Sequence, residues 1–189
     1  MKITKMMSRK QFAAVAVRQL EKHGISCVLV GGACVSIYTN ERHASKDLDF
    51  ISPYSHEQIA KALSEIGFEK QGRYFKHPSS KLYLEFPNGP IGIGNKVPVK
   101  PEHHLKVGNT IIQMLSPTQC VMDRLAAWFH WNDRRSLIHA LWVCERHPIN
   151  MAKIKRWAIN ENNPEKFAQF LDELKKLKQS KKEIPAATD

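Results

Sequence analysis

The stretch Cys27-Val-Leu-Val30-Gly31-Gly32 constrains the fold more than any other part of the chain. Four apolar residues in a row read as a buried strand, and two glycines at its end make a turn free of side chains. A short helix is expected over 33–39, so the backbone passes from strand to helix through bare amides. Such amides, with a helix dipole behind them, suit a phosphate, although a plain strand-to-helix turn also favours glycine. The next patterned stretch, Asp47-Leu-Asp-Phe-Ile51, alternates polar and apolar residues at the strand period. Asp47 and Asp49 then point to one face with α-carbons about 6.6 Å apart, and Leu48 and Phe50 point to the other. Within Leu82-Tyr-Leu-Glu-Phe86, Glu85 sits between apolar Leu84 and Phe86 in the same manner.

If these strands are neighbours, three carboxylates converge on one patch. Two carboxylates about 4 Å apart repel by about 4 kcal/mol at an effective dielectric of 20. A divalent cation relieves that cost, and an all-oxygen site is what Mg²⁺ prefers. A pair of such ions suits in-line phosphoryl or nucleotidyl displacement. For Asp-Leu-Asp alone, a strand with its acidic face in water is the competing explanation.

Around these elements the pattern predicts a helix over 8–23 and one from the Ser55…Gln58 capping box to Gly67. Strands are expected at 74–77, 81–86 and 111–115. Past Leu115 the character changes. Ser116-Pro-Thr-Gln119 is a second capping box, and helices are expected at about 117–131, 134–147, 151–161 and 164–180. The fold class is therefore α+β with an α/β-like core: a small mixed sheet flanked by helices, then a helical bundle. The domain division is 1–115 for the core, 116–182 for the bundle and 183–189 for a disordered tail, with the lysine-rich 175–182 fraying.

Val30-Gly-Gly-Ala, Ser45-Lys-Asp47-Leu-Asp49-Phe and Leu84-Glu85-Phe86 together resemble the nucleotidyltransferase superfamily of DNA polymerase beta. The resemblance covers residues 25 to about 90, and the helices beyond look most like the toxin-type members linked to abortive infection and toxin–antitoxin pairs. It implies a small mixed-sheet nucleotidyltransferase core, with Asp47, Asp49 and Glu85 as catalytic residues that hold Mg²⁺. Two ions are implied, with Mn²⁺ an alternative, and Glu85 helps to deprotonate the attacking hydroxyl. Gly31, Gly32 and Ser45 are implied to bind the triphosphate. Members often carry arginine two residues before that serine; here His43 stands there, with Arg42 beside it as a lesser candidate. A lysine and an aspartate in the helices of toxin-type relatives correspond to Arg124 and Asp133.

Pro87-Asn-Gly-Pro-Ile-Gly-Ile-Gly-Asn95 is glycine-rich but lacks the Gly-Lys-Ser/Thr ending of a P-loop. It reads either as a cover for substrate or as a simple connection. Lys96 and Lys100 after it are candidates to offset triphosphate charge. Asp123 and Arg124 are adjacent on their helix and are not expected to share a face. Trp128, Trp142 and Trp157 read as core, and Trp131 as the tryptophan to watch.

The chain has 189 residues and a formal charge of +11, spread over both halves. That field favours a polyanion. The four cysteines form no CxxC pair, and His103-His104 has no spaced partner for zinc. No apolar run reaches the roughly 18 residues of a membrane span, and the N-terminus has no signal-peptide stretch, so a cytoplasmic protein is expected. The leading expectation is an enzyme that moves a nucleoside monophosphate from an NTP, ATP among them, to a hydroxyl and releases pyrophosphate. The favoured acceptor is tRNA or another RNA, with a protein hydroxyl next; an antitoxin is a further expected partner. A small-molecule adenylyltransferase of the antibiotic-modifying type is one alternative. A catalytically inactive nucleotide- or RNA-binding module is another.

Overall fold

A computed structural model describes residues 3–182. Its first helix, α1 (Arg9–Lys22), starts at Ser8, which forms a capping box with Gln11. Phe12, Ala16 and Leu20 on its inner face are fully buried. Strand β1 (Val28–Val30) follows and runs straight into α2 (Gly31–Tyr38). That helix begins two residues before the expected start, because both glycines already lie in its first turn. Strand β2 (Asp47–Ile51) shows the expected alternation, with Leu48 and Phe50 fully buried and Asp47 and Asp49 half-exposed. Helix α3 (His56–Ser64) opens on the predicted box: Ser55 Oγ accepts from the Gln58 N–H at 3.3 Å, and Gln58 Oε1 accepts from the Ser55 N–H at 3.0 Å. Such a cap stabilises a helix by about 1 kcal/mol.

Next come β3 (Glu69–Gln71), β4 (Tyr74–Lys76), β5 (Tyr83–Glu85), β6 (His103–Val107) and β7 (Thr110–Met114). Two of these strands were not expected. β3 is exposed along its whole length, and β6 carries two histidines and a lysine. Each is the outer member of a hairpin at one edge of the sheet, where the partner strand supplies the hydrogen bonds; β3 adds no buried side chain, and β6 packs Leu105 and Val107 on the core. The sheet has seven strands in the order β3-β4-β5-β2-β1-β7-β6. It is mixed: β2 pairs with β5 and β1 with β7 in parallel, and the other neighbours are antiparallel.

Helices α1 and α3 lie together against the sheet, with the Phe12 and Phe68 rings 5.6 Å apart and Gln19 donating to the Ala62 carbonyl at 2.9 Å. Past the last strand come α4 (Pro117–Trp131), α5 (Arg134–Arg146), α6 (Met151–Asn160) and α7 (Pro164–Lys182). Helix α7 continues through 175–182, the stretch expected to fray. The tail expected at 183–189 lies outside the described residues. The second predicted capping box, Ser116 with Gln119, is present and has a wider role. Gln119 Oε1 also accepts from the Glu102 N–H at 3.0 Å, and its amide donates to the Lys100 carbonyl at 2.7 Å, so one side chain ties the entry to β6 to the start of α4. Helices α4 and α5 pack on α2, so the helical segment is joined to the sheet through the helix that follows the glycine turn. The fold class is thus as expected: a mixed sheet flanked by helices, followed by four more helices.

Among the described residues no helix is long and apolar enough to cross a membrane. All four cysteines are free thiols, and burial pushes those of Cys27 and Cys144 up to about 12.

Candidate active site

Strand register assembles the acidic cluster. In the parallel β2–β5 pair, Asp49 stands directly opposite Glu85 and Asp47 opposite Tyr83. On the other flank, Asp49 is opposite Val30, the last residue before the glycine turn. Asp47, Asp49 and Glu85 each offer a carboxylate oxygen, and these oxygens all lie within 4.8 Å of one another. Burial pushes the Asp49 carboxyl up to about 6, and the charges of Asp47 and Glu85 push in the same direction. A half-buried carboxylate crowded by two others is one that a divalent cation would relieve, so the donor set fits the metal site expected there.

The glycine turn abuts this cluster. Gly31 has φ +67°, and a Cβ at that position would lie 2.6 Å from Asp49 Oδ2. Both the backbone and the space therefore demand glycine. At Gly32 a Cβ would come within 3.2 Å of both His43 Nε2 and Ser45 Oγ. Ser45 donates from its hydroxyl to Asp47 Oδ1, and its own N–H is held by Ser36 Oγ at 3.3 Å. Arg9, which sequence reasoning did not single out, clamps the same segment: its guanidinium donates to the Ser45 carbonyl and pairs with Glu41. Gly31, Gly32, Ser45, Asp47, Asp49 and Glu85 are thereby brought together.

The positive side of the site comes from α4. Arg124 lies three-quarters or more buried, and its charge holds the Asp49 carboxyl down against the push of its neighbours. Although adjacent residues of a helix do not share a face, Arg124 reaches Asp123: its guanidinium curls back to Asp123 Oδ2, at 2.6 Å from Nη2 and 3.0 Å from Nε. The ring of His43, in the loop between α2 and β2, lies 4.2 Å from that of His139 on α5. Burial lowers the pKa of His43, helped by Arg124 and Arg9, and burial with His43 and Arg124 brings His139 down to about 4. The His139 ring is thus neutral at pH 7. Only the three-dimensional packing pairs the two rings.

The remaining candidates have other attachments. Arg42 donates to Glu145 Oε2 at 2.7 Å and lies 4.3 Å over the Trp142 ring, turned toward α5. Asp133 is the N-cap of α5; its carboxylate accepts from the Arg135 N–H at 3.1 Å and the Ser136 hydroxyl at 2.8 Å, which lowers its pKa. Lys100 is exposed, with its carbonyl held by Gln119. The glycine-rich loop 87–95 is fastened to α6 and its end. Ile93 is buried, the Asn95 N–H donates to both Glu161 oxygens at 2.9 and 3.0 Å, and a Cβ at Gly94 would lie 2.5 Å from that carboxylate. Trp131 is exposed, Trp128 and Trp157 are buried, and Trp142 carries Arg42. A further cation missed by sequence reasoning is Arg73, whose Nε lies 3.3 Å from Glu85 Oε1. It belongs to the β3–β4 turn, whose return toward β5 no local pattern announces.

No protein-family model matches the chain, and no curated protein matches it. Among solved structures it is similar to an antigenic nucleotidyltransferase-like protein from Paracoccidioides brasiliensis, at 16% identity and a TM-score of 0.49. The match covers 73% of this chain and 77% of that one.

Proposed function

We propose that the chain is a metal-dependent nucleotidyltransferase that moves a nucleoside monophosphate from an NTP to an acceptor hydroxyl and releases pyrophosphate. The observation that carries this reading is the convergence of three carboxylates, with oxygens within 4.8 Å, beside a turn that only glycine can occupy. Asp47, Asp49 and Glu85 would hold Mg²⁺, or Mn²⁺ in its place. When bound, the ions neutralise the triphosphate and stabilise charge developing on the phosphoryl oxygens. Gly31 and Gly32 present backbone N–H groups at the start of α2, where a phosphate is favoured. Ser45, held by Arg9 and Ser36, orients Asp47 and faces the same turn. Arg124 adds a buried positive charge that favours the ionised form of Asp49. The acceptor oxygen attacks the α-phosphorus, the bond from that phosphorus to the bridging oxygen breaks, and pyrophosphate leaves. Glu85 takes the acceptor proton in this scheme. The toxin-type resemblance extends the proposal to an antitoxin as a regulatory partner.

The test is transfer of label from each NTP, radiolabelled at the α-phosphate, with Mg²⁺ and with or without total tRNA. Label on RNA, protein or a small hydroxyl compound that vanishes in Asp49→Asn supports the proposal and names the acceptor class. Transfer by Asp49→Asn at the parental rate would sink it.

A further inference from the structure

Two rows of side chains cross four strands and end at the carboxylates. One runs Gln71, Tyr74, Glu85, Asp49, and the other Glu69, Lys76, Tyr83, Asp47, each residue directly opposite the next. Directly paired residues share a face of the sheet, so both rows lie on the carboxylate side. The intervening row ends on the opposite face in Phe75, Leu84 and Leu48, all buried. The carboxylate face beyond the triad is open: Gln71 and Lys76 are exposed, Tyr74 and Tyr83 half-exposed, and Arg73 has 67% of its side chain in solvent.

Its chemistry is that of a cationic, aromatic platform. The Tyr74 and Tyr83 rings meet edge to face with centroids 4.9 Å apart, and the Arg73 guanidinium lies 4.9 Å over Tyr74. Next to them is a cavity of about 540 Å³ lined by Lys46, Lys76, Lys81, His77, Tyr83 and a single acid, Glu69. Lys46 precedes Asp47 in the chain, and its carbonyl accepts from the Tyr83 N–H at 3.1 Å, so the cavity adjoins the triad directly.

We infer that this face, on β3–β5 with Lys46, docks the single-stranded end of an RNA acceptor and leads its terminal hydroxyl to the carboxylates. The inference rests on the transferase reading and adds the acceptor's place. Tyrosine faces take bases and lysines take phosphates, the combination that binds single strands without regard to sequence. A peptide added to the β3 edge would need neither the tyrosine pair nor three lysines around one cavity.

Binding is read by fluorescence anisotropy of a labelled oligouridine with the full chain in EDTA, so that no transfer occurs. Lys76→Ala/Lys81→Ala is expected to weaken binding at least tenfold and to lower the slope of log K against log salt by about 1.4, at about 0.7 per phosphate contact. Tyr83→Leu is expected to weaken binding about 5- to 150-fold with the slope unchanged. A duplex of the same length should bind more weakly than the single strand. Unfolding curves matching the parent establish that the variants fold. Parental affinity in both folded variants, or equal affinity for duplex, overturns the inference, as does label transferred to protein alone. If Asp49→Asn abolishes labelling while the lysine variant labels RNA at the parental rate, the docking surface fails and the transferase stands. RNA binding that depends on these residues, with no labelling by the parent, retains the surface and removes the transferase.

Discussion

Replacing Asp49 with asparagine should stabilise the metal-free protein at neutral pH, the reverse of what removing a buried, well-packed group usually does. Folding moves the Asp49 carboxyl from 3.8 up to about 6, first through burial and then through Asp47 and Glu85. The native state therefore holds that proton more tightly than the unfolded chain. Below about pH 4 both states are protonated and no penalty exists. As pH rises through 6 the native state must ionise a carboxyl that resists it, and stability falls by an amount that is complete by pH 7. The interval of about two pH units, at about 1.4 kcal/mol each, sets a ceiling of about 3 kcal/mol. Partial exposure and counterions reduce that to about 1–2 kcal/mol. Asparagine keeps the shape and removes the charge. Urea unfolding in EDTA should place Asp49→Asn about 1–2 kcal/mol above the parent at pH 7, with the difference vanishing near pH 4. Millimolar Mg²⁺ should raise the parent and leave the variant nearly unmoved. A variant less stable than the parent at pH 7, or a difference that persists unchanged at pH 4, would refute the argument that burial and the neighbouring carboxylates penalise the ionised Asp49.

Gly31→Ala should cost about 2–4 kcal/mol, combining a left-handed backbone for alanine with a Cβ 2.6 Å from Asp49 Oδ2. Thermal unfolding gives the cost, and calorimetry with NTP and Mg²⁺ should show binding lost even at temperatures where the variant stays folded. Gln119→Ala removes acceptors for the Ser116 and Glu102 N–H groups and the donor to the Lys100 carbonyl, so about 2–3 kcal/mol should disappear from urea unfolding. A loss below about 0.5 kcal/mol would mean that water replaces all three bonds.

What the chain determines by itself is what its local periodicities encode. The apolar run ending in Gly31-Gly32 makes a strand and then a helix. The alternation in Asp47–Ile51 puts two carboxylates on one face, since neighbouring side chains in a strand must point apart. Ser55 and Ser116, each with glutamine three residues on, start helices, because the orphan N–H groups of a first turn need those acceptors close in sequence. Tertiary structure alone decides which strand lies beside which. Glu85 meets Asp49 only through the parallel β2–β5 register, and Arg42 meets Glu145 from a position 103 residues away. The edge strand β3 escapes any local reading, because partner hydrogen bonds rather than apolar side chains hold it, and β6 joins to its partner bonds the packing of just two apolar residues, Leu105 and Val107. The same non-local pairing sets Tyr74, Tyr83 and Lys76 in line with the acids. Side chains separated widely in sequence share a surface only after the sheet has chosen its order, and that choice depends on the summed burial of the whole core rather than on any one segment.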